Sequence, residues 1–167
     1  MSNHPDLQSF ICPVQSVLTE WIDYNEHMNV AYYVLAFDTA VDYFLSRLGV
    51  GPDYVAQGEG SCFVLENHVS YLRELKAGDL FCTTCQLLDY DQKRIHYFLE
   101  MYHESEHFLA ATSEQIALHV GLKLRRARPL PQHTQQQLAE MLAVHRLLPR
   151  SPQVGSVISI RHRLTPE

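Results

Sequence analysis

VAYYVLAFDTAVDYFLSRL, residues 30–48, carries the pattern on which the fold depends. Val30, Val34, Phe37, Val41, Phe44 and Leu48 recur at spacings of three and four, the period of one helix face. Asn29 stands where an N-cap belongs, and Gly49 with Gly51-Pro52 forms a stop. Tyr33, Leu35, Ala36 and Ala40 make much of the remaining surface apolar, leaving Asp38, Asp42 and Ser46 as a narrow polar stripe. A helix of that composition is expected to be largely enclosed by other structure.

What encloses it is legible on both sides. Upstream, FICPVQSVLTEWI (10–22) reads as a first strand, with Pro13 near its outer end. Downstream, SCFVLENHVSYLREL, LFCTTCQLLDY, RIHYFLEMYHE and FLAATSEQIALHVGL are long runs rich in β-branched and aromatic residues. Ala77-Gly78-Asp79, Asp91-Gln92-Lys93 and Ser105-Glu106 separate them as turns, and the last three runs suit an antiparallel meander. After the Pro-punctuated stretch 125–131, residues 132–148 have helical spacing. VGSVISIRHRL then provides a short edge strand or a segment lying along the surface. The expectation is an α+β fold: an antiparallel sheet wrapped round one long buried helix, followed by a C-terminal helix and tail.

The chain has 167 residues, which suits one domain over 1–167, with a core at about 12–130 and the helix and tail at 131–167. Hydrophobic residues are 46% and charged residues 19%, a globular rather than disordered balance. A net charge of -6 argues against nucleic acid as partner. No run approaches the roughly 20 apolar residues that span a membrane, and the first residues lack the basic and apolar regions of a secretory signal. Four cysteines do not make a disulfide scaffold, so a reducing, cytoplasmic location is expected.

Two metal-like motifs are set aside on geometry. Cys82 and Cys85 spell C-x-x-C within a strand-like run, where positions three apart point to opposite faces. His103 and His107 spell H-E-x-x-H, the sign of a zinc hydrolase, but they straddle a turn, and that motif chelates only on a helix. No metal and no organic cofactor is expected.

The chemistry concentrates in WIDYNEHMNVAYY, residues 21–33. Free N–H groups and the positive dipole end at the start of a helix can hold a developing oxyanion. A carboxylate just upstream can act as base or nucleophile on a carbonyl held there. Asp, Asn and His are also ordinary capping residues, so spacing alone leaves both readings open.

Asp23-Tyr24-Asn25-Glu26-His27-Met28-Asn29, followed by the apolar helix, resembles the D-x-x-G-H-x-N signature of hotdog thioesterases similar to 4-hydroxybenzoyl-CoA thioesterase. HVSYLRELKAGD, KRIHYFLEMYHE and AATSEQIALHV resemble its continuation, closest to the betainyl-CoA thioesterase branch of carnitine metabolism. The resemblance implies a hotdog fold and hydrolysis of a small acyl-CoA, betainyl-CoA first, to the free acid and CoA. It matches Asp23 to the catalytic carboxylate and the amide of Val30 to the carbonyl-polarising donor. His27 and Asn29 match the residues that shape the loop. Glu26 stands where the family has Gly, a position that can demand an unusual backbone angle.

Further candidates follow from the same frame. Trp21, Tyr24, Tyr33 and Glu26 are candidate substrate contacts, with Tyr32 and Tyr54 adding to the aromatic density. Ring faces beside carboxylates suit a trimethylammonium group. Glu66 and His68, two apart on a strand, share a face and are expected to look into the cleft. Arg125, Arg126 and Arg128 form the tight basic cluster expected to meet the anionic CoA. Edge-to-edge pairing of two sheets implies a homodimer or homotetramer. A hotdog dehydratase and a non-catalytic acyl-CoA-binding protein are the alternatives, followed by a zinc hydrolase through His103 and His107.

Overall fold

The computed structural model describes residues 10–160. Short strands β1 (Phe10–Ile11) and β2 (Gln15–Ser16) lead into a 3-10 turn at Thr19–Trp21. Helices α1 (Val30–Arg47) and α2 (Pro52–Ala56) come next. Four long strands follow, β3 (Gly60–Tyr71), β4 (Leu80–Tyr90), β5 (Arg94–His103) and β6 (Leu109–Gly121), and then β7 (Arg126–Ala127) and α3 (Gln132–His145). The antiparallel sheet runs β1-β4-β5-β6-β3, with β2 also on β4 and β7 on β6. The expected α+β architecture and the β4-β5-β6 meander are thus present. Strand β3 crosses to the far side of the meander and forms an edge beside the start of α1.

The first strand is shorter than the expected 10–22. Pairing with β4 breaks at Pro13, which has no N–H to give, resumes at Gln15, and ends where Val17 N–H reaches Asp79 O. The α1 N-cap is as read: Asn29 Oδ1 accepts from Ala31 N–H at 3.0 Å. Gly49 closes the helix in the left-handed region at φ 71°, where glycine has no Cβ to clash.

Burial corrects the expected helix face. Tyr33, Ala36, Phe37, Ala40, Val41, Phe44, Leu45 and Leu48 are buried against the sheet, while Val30 and Val34 stand exposed beside Leu35. The helix is therefore half covered in the single chain, because the small residues Ala36 and Ala40 let the sheet approach on that side. Phe44 lies between Phe10 and Tyr97, with ring centroids at 6.0 and 5.4 Å. Residues 151–160 lie along the surface, and the end of the expected edge-strand stretch, 161–164, lies outside the described residues. Gly155 N–H donates to Glu114, and Ser156 Oγ lies 3.4 Å from His68 Nδ1.

Candidate active site

Residues 22–28 form a miniature hairpin whose strands meet at an Ile22–Met28 bridge. Asp23 N–H donates to His27 O at 3.1 Å, and Glu26 N–H donates to Asp23 O at 3.0 Å, closing a tight turn. Asp23 Oδ1 accepts from Asn25 N–H at 2.8 Å, the side-chain bond two residues on that favours Asp in such turns. Glu26 takes φ 64°, the left-handed position that follows a type I turn in three-residue loops. A glycine occupies that position at no steric cost, which is the physical sense of the family's Gly there.

The hairpin is bolted to the helix and to the segment after β3. Met28, fully buried, donates its N–H to Leu75 O at 2.8 Å, and Asn29 N–H donates to Trp21 O at 2.9 Å. His27 Nδ1 lies 3.2 Å from Met28 O and so carries the proton there. Asn29 works in two directions. Its Oδ1 caps the helix, and its Nδ2 donates to Asp23 Oδ2 at 3.2 Å. The Asp23 carboxylate is thereby held, half-buried, at the mouth of α1. The capped N–H belongs to Ala31, and among the described residues no acceptor engages the Val30 N–H. A carboxylate and an unspent amide at a helix N-terminus can activate water, or attack, at a carbonyl whose oxygen sits on the amide.

Comparison with known proteins gives this arrangement its context. Residues 17–138 match the model of the thioesterase-like superfamily. Over 144 residues the chain is 35% identical to a betainyl-CoA thioesterase of Pseudomonas aeruginosa, covering 86% of this chain and 91% of that one. This chain belongs to the thioesterase-like superfamily. The thioesterase is also 36% identical, over 75% of its own length, to a quarter of a Rhizobium meliloti L-carnitine dehydrogenase/betainyl-CoA thioesterase. A Staphylococcus aureus protein solved in complex with CoA superposes with a TM-score of 0.85 at 32% identity, over 96% of this chain and all of that one. The fold is the hotdog of acyl-CoA thioesterases, and the protein is a thioester hydrolase.

The structure sorts the remaining sequence candidates of this thioesterase. Glu66 and His68 do share a face, but it is not the one toward α1. Tyr97 Oη donates to Gln115, Gln115 to Ser113, and Ser113 to Asn67, at 3.0, 2.9 and 2.8 Å. Tyr97 is core, so Asn67 faces the helix, and its neighbours Glu66 and His68 face away. They stand beside Glu114 and His96, which lie 2.8 Å apart. A β-bulge between Val64 and Glu66 resets the alternation midway along the strand.

The rings are sorted too. Trp21 and Tyr32 stack on one another at 5.4 Å and 11°. Tyr24, at the hairpin tip, is 93% exposed. Tyr33 is buried, its hydroxyl accepting from Leu75 N–H at 3.1 Å. Tyr54 is remote, at the opposite end of β3, where its hydroxyl lies 3.2 Å from His119 Nε2. His119 is buried there, and its Nδ1 donates to Arg128 O at 3.1 Å. Burial pushes its pKa below the ordinary histidine value.

That remote end also holds the basic cluster, because β7 pairs with Val120–Gly121 opposite Gly60. Arg128 is tied to Glu59 at 3.7 Å, and Arg125 lies 5.5 Å from the Phe63 ring. Arg126 and Lys123 line a groove of about 680 Å³. His103 and His107 flank the β5–β6 turn: His103 Nδ1 accepts from Glu106 N–H at 3.2 Å, and His107 has φ 57°. Cys82 and Cys85 are free thiols within β4. Tyr71, overlooked in the sequence, lies at the α1 start, with its hydroxyl 3.4 Å from Val30 O. An aromatic in a strand carries no mark of which end of a helix it will meet.

Proposed function

We propose that this protein hydrolyses a small acyl-CoA, betainyl-CoA first, to the free acid and CoA, as a homodimer whose two clefts each draw on both chains. The observation that carries this reading is the Asp23 carboxylate, fixed by Asn25 and Asn29 at the uncapped Val30 N–H. The thioester oxygen sits on that N–H. Asp23 takes a proton from water, whose oxygen adds to the carbonyl carbon; collapse of the tetrahedral species expels CoA thiolate, which takes the proton back. Direct attack by Asp23 gives an acyl-carboxylate anhydride that water then opens, and both routes need the same placement. Likeness to relatives named for betainyl-CoA hydrolysis supports the substrate.

Strand length supports the dimer. Tyr71, at the catalytic end of β3, and Gly60, at the basic end, are separated by roughly 35 Å at about 3.3 Å per residue. One CoA cannot bridge that span within a chain. Antiparallel pairing of two β3 edges sets one chain's residue 60 against the other's residue 71, delivering the second copy's Arg125, Arg126 and Arg128 to the first copy's Asp23. Exposed Val30, Val34, Leu65 and Leu72 on this side suit burial by a second copy.

No helix among the described residues is long and apolar enough to cross a membrane, which fits a cytoplasmic acyl-CoA substrate. The test is a panel of acyl-CoAs with a free-thiol readout, run alongside light scattering. Betainyl-CoA is expected to give the highest kcat/KM, from a dimer or its double. No thiol release from any member refutes hydrolysis, and full activity from a monomer at micromolar concentration refutes the shared cleft.

A further inference from the structure

Recognition of the acyl group is constrained by chemistry before any residue is chosen. In a betainyl thioester a single methylene separates the ammonium nitrogen from the carbonyl carbon. With the carbonyl oxygen on the Val30 N–H, the cation must lie against the first turn of α1. A trimethylammonium group has no N–H to donate, so ring faces and nearby negative charge must hold it.

Few rings meet that condition. The Trp21–Tyr32 pair is parallel and closed on itself, leaving no slot between the rings. Tyr24 projects into solvent from the tip of the hairpin, and Tyr54 sits at the far end of β3. Tyr71 is different. Its hydroxyl donates to the carbonyl of Val30, the residue whose amide is proposed to hold the thioester. Its ring meets Tyr33 nearly at right angles, at 75° and 5.3 Å, and 47% of the residue is still open.

Tyr33 is itself locked by burial and by the Leu75 N–H, so it braces Tyr71 from behind. The basic groups nearby are engaged elsewhere: Arg73 lies 3.6 Å from the Phe108 ring centroid and 3.9 Å from Glu106. Glu74 and Asp79 stand near enough to add to the burial that raises the Tyr33 phenol pKa. The Asp23 carboxylate is at the same helix mouth, and the nearby Lys76 ammonium is paired with Glu74 at 3.3 Å.

We infer that Tyr71 is the residue that reads the cationic end of the acyl group, its ring face forming one wall of the acyl pocket beside Val30. This rests on the betainyl-CoA reading above. The experiment compares kcat/KM for betainyl-CoA and for its neutral isostere, 3,3-dimethylbutyryl-CoA, in the wild type, Tyr71→Phe and Tyr71→Leu. The phenylalanine variant keeps the ring and should hold the betainyl-to-neutral ratio within about threefold. The leucine variant loses the π face and should lower that ratio by about tenfold or more. Tyr71→Met, similar in bulk and also without a π face, serves where the leucine variant does not fold.

Equal loss on both substrates in the leucine or methionine variant would make Tyr71 a packing residue and overturn the inference. A wild type without preference for betainyl-CoA would overturn it together with the substrate assignment, while thiol release from both compounds would leave thioester hydrolysis standing.

Discussion

Glu26→Gly isolates a backbone cost from the chemistry around it. Glu26 sits at φ 64° in a loop closed by its own N–H on Asp23 O, and its side chain is exposed. Holding an L-residue there costs roughly 1–2 kcal/mol relative to the right-handed region, because Cβ crowds a carbonyl oxygen. Glycine removes that term but returns roughly 0.5–1 kcal/mol of chain entropy to the unfolded state. The net gain is about 0.5–1 kcal/mol, which for a chain of this size raises Tm by roughly 1–4 °C. Glu26→Ala is the comparator: it keeps Cβ and the strain while deleting the carboxylate, and should stay within about 0.5 kcal/mol of wild type. Thermal melts of the three proteins decide it. A glycine variant no more stable than the alanine variant would refute the claim that the backbone angle is the cost. The same pair reports on function. If the Glu26 carboxylate helps to hold a cationic acyl group, betainyl-CoA turnover falls alike in both variants.

Three other outcomes are expected. Asp23→Asn should lower kcat by at least about a hundredfold in a free-thiol assay while the protein stays folded, since Asn still accepts from Asn25 N–H and loses only the half-exposed bond from Asn29 Nδ2; near-normal turnover would remove Asp23 from the mechanism. His119 has a depressed folded pKa, so the unfolded chain binds its proton first, and stability present above about pH 6.5 is lost as pH falls toward the folded value; Tm should drop more between pH 7.5 and 5 in wild type than in His119→Gln, and parallel curves would refute this. Burial pushes the Cys12 and Cys62 thiols up to about 12 and Cys82 to about 11, so a thiol reagent at pH 8 should label these sites in the folded protein about a hundredfold or more slowly than free cysteine, and rapid labelling would show that these strands open.

Much of this molecule is legible in its residues, and the illegible parts share a cause. Asn29 as cap and Gly49 as stop follow from local backbone chemistry, and local chemistry needs no partner. The strands were readable for the same reason, since their alternation and turns lie within short windows. Side is another matter. A period of two says that Glu66 and His68 point together, not whether toward the helix, and the bulge before Glu66 breaks any count carried from Cys62. The α1 stripe from Val30 to Leu48 overlaps the one actually buried, which Tyr33, Ala36 and Ala40 define through close approach to the sheet. Tyr71 became a candidate only when the strand order put β3 at the edge next to Val30. Pairing order is set by contacts distant in sequence, and no window contains them.

The Asp23 side chain closes the turn that presents it, one oxygen on Asn25 N–H and the other on Asn29 Nδ2. Loop architecture and the proposed reactive group are therefore inherited as one unit. A mutational drift to Glu, a step of one methylene, would overshoot the bond to a backbone N–H two residues on and undo the loop while keeping the charge. Drift to Asn would keep the bond to Asn25 N–H, at the expense of the one to Asn29 Nδ2, and on the proposed mechanism would discard the reactivity, leaving a protein that receives thioesters without cutting them. A lineage starting from this chain thus has an easy path from catalyst to carrier, and no comparable path from one carboxylic acid to the other.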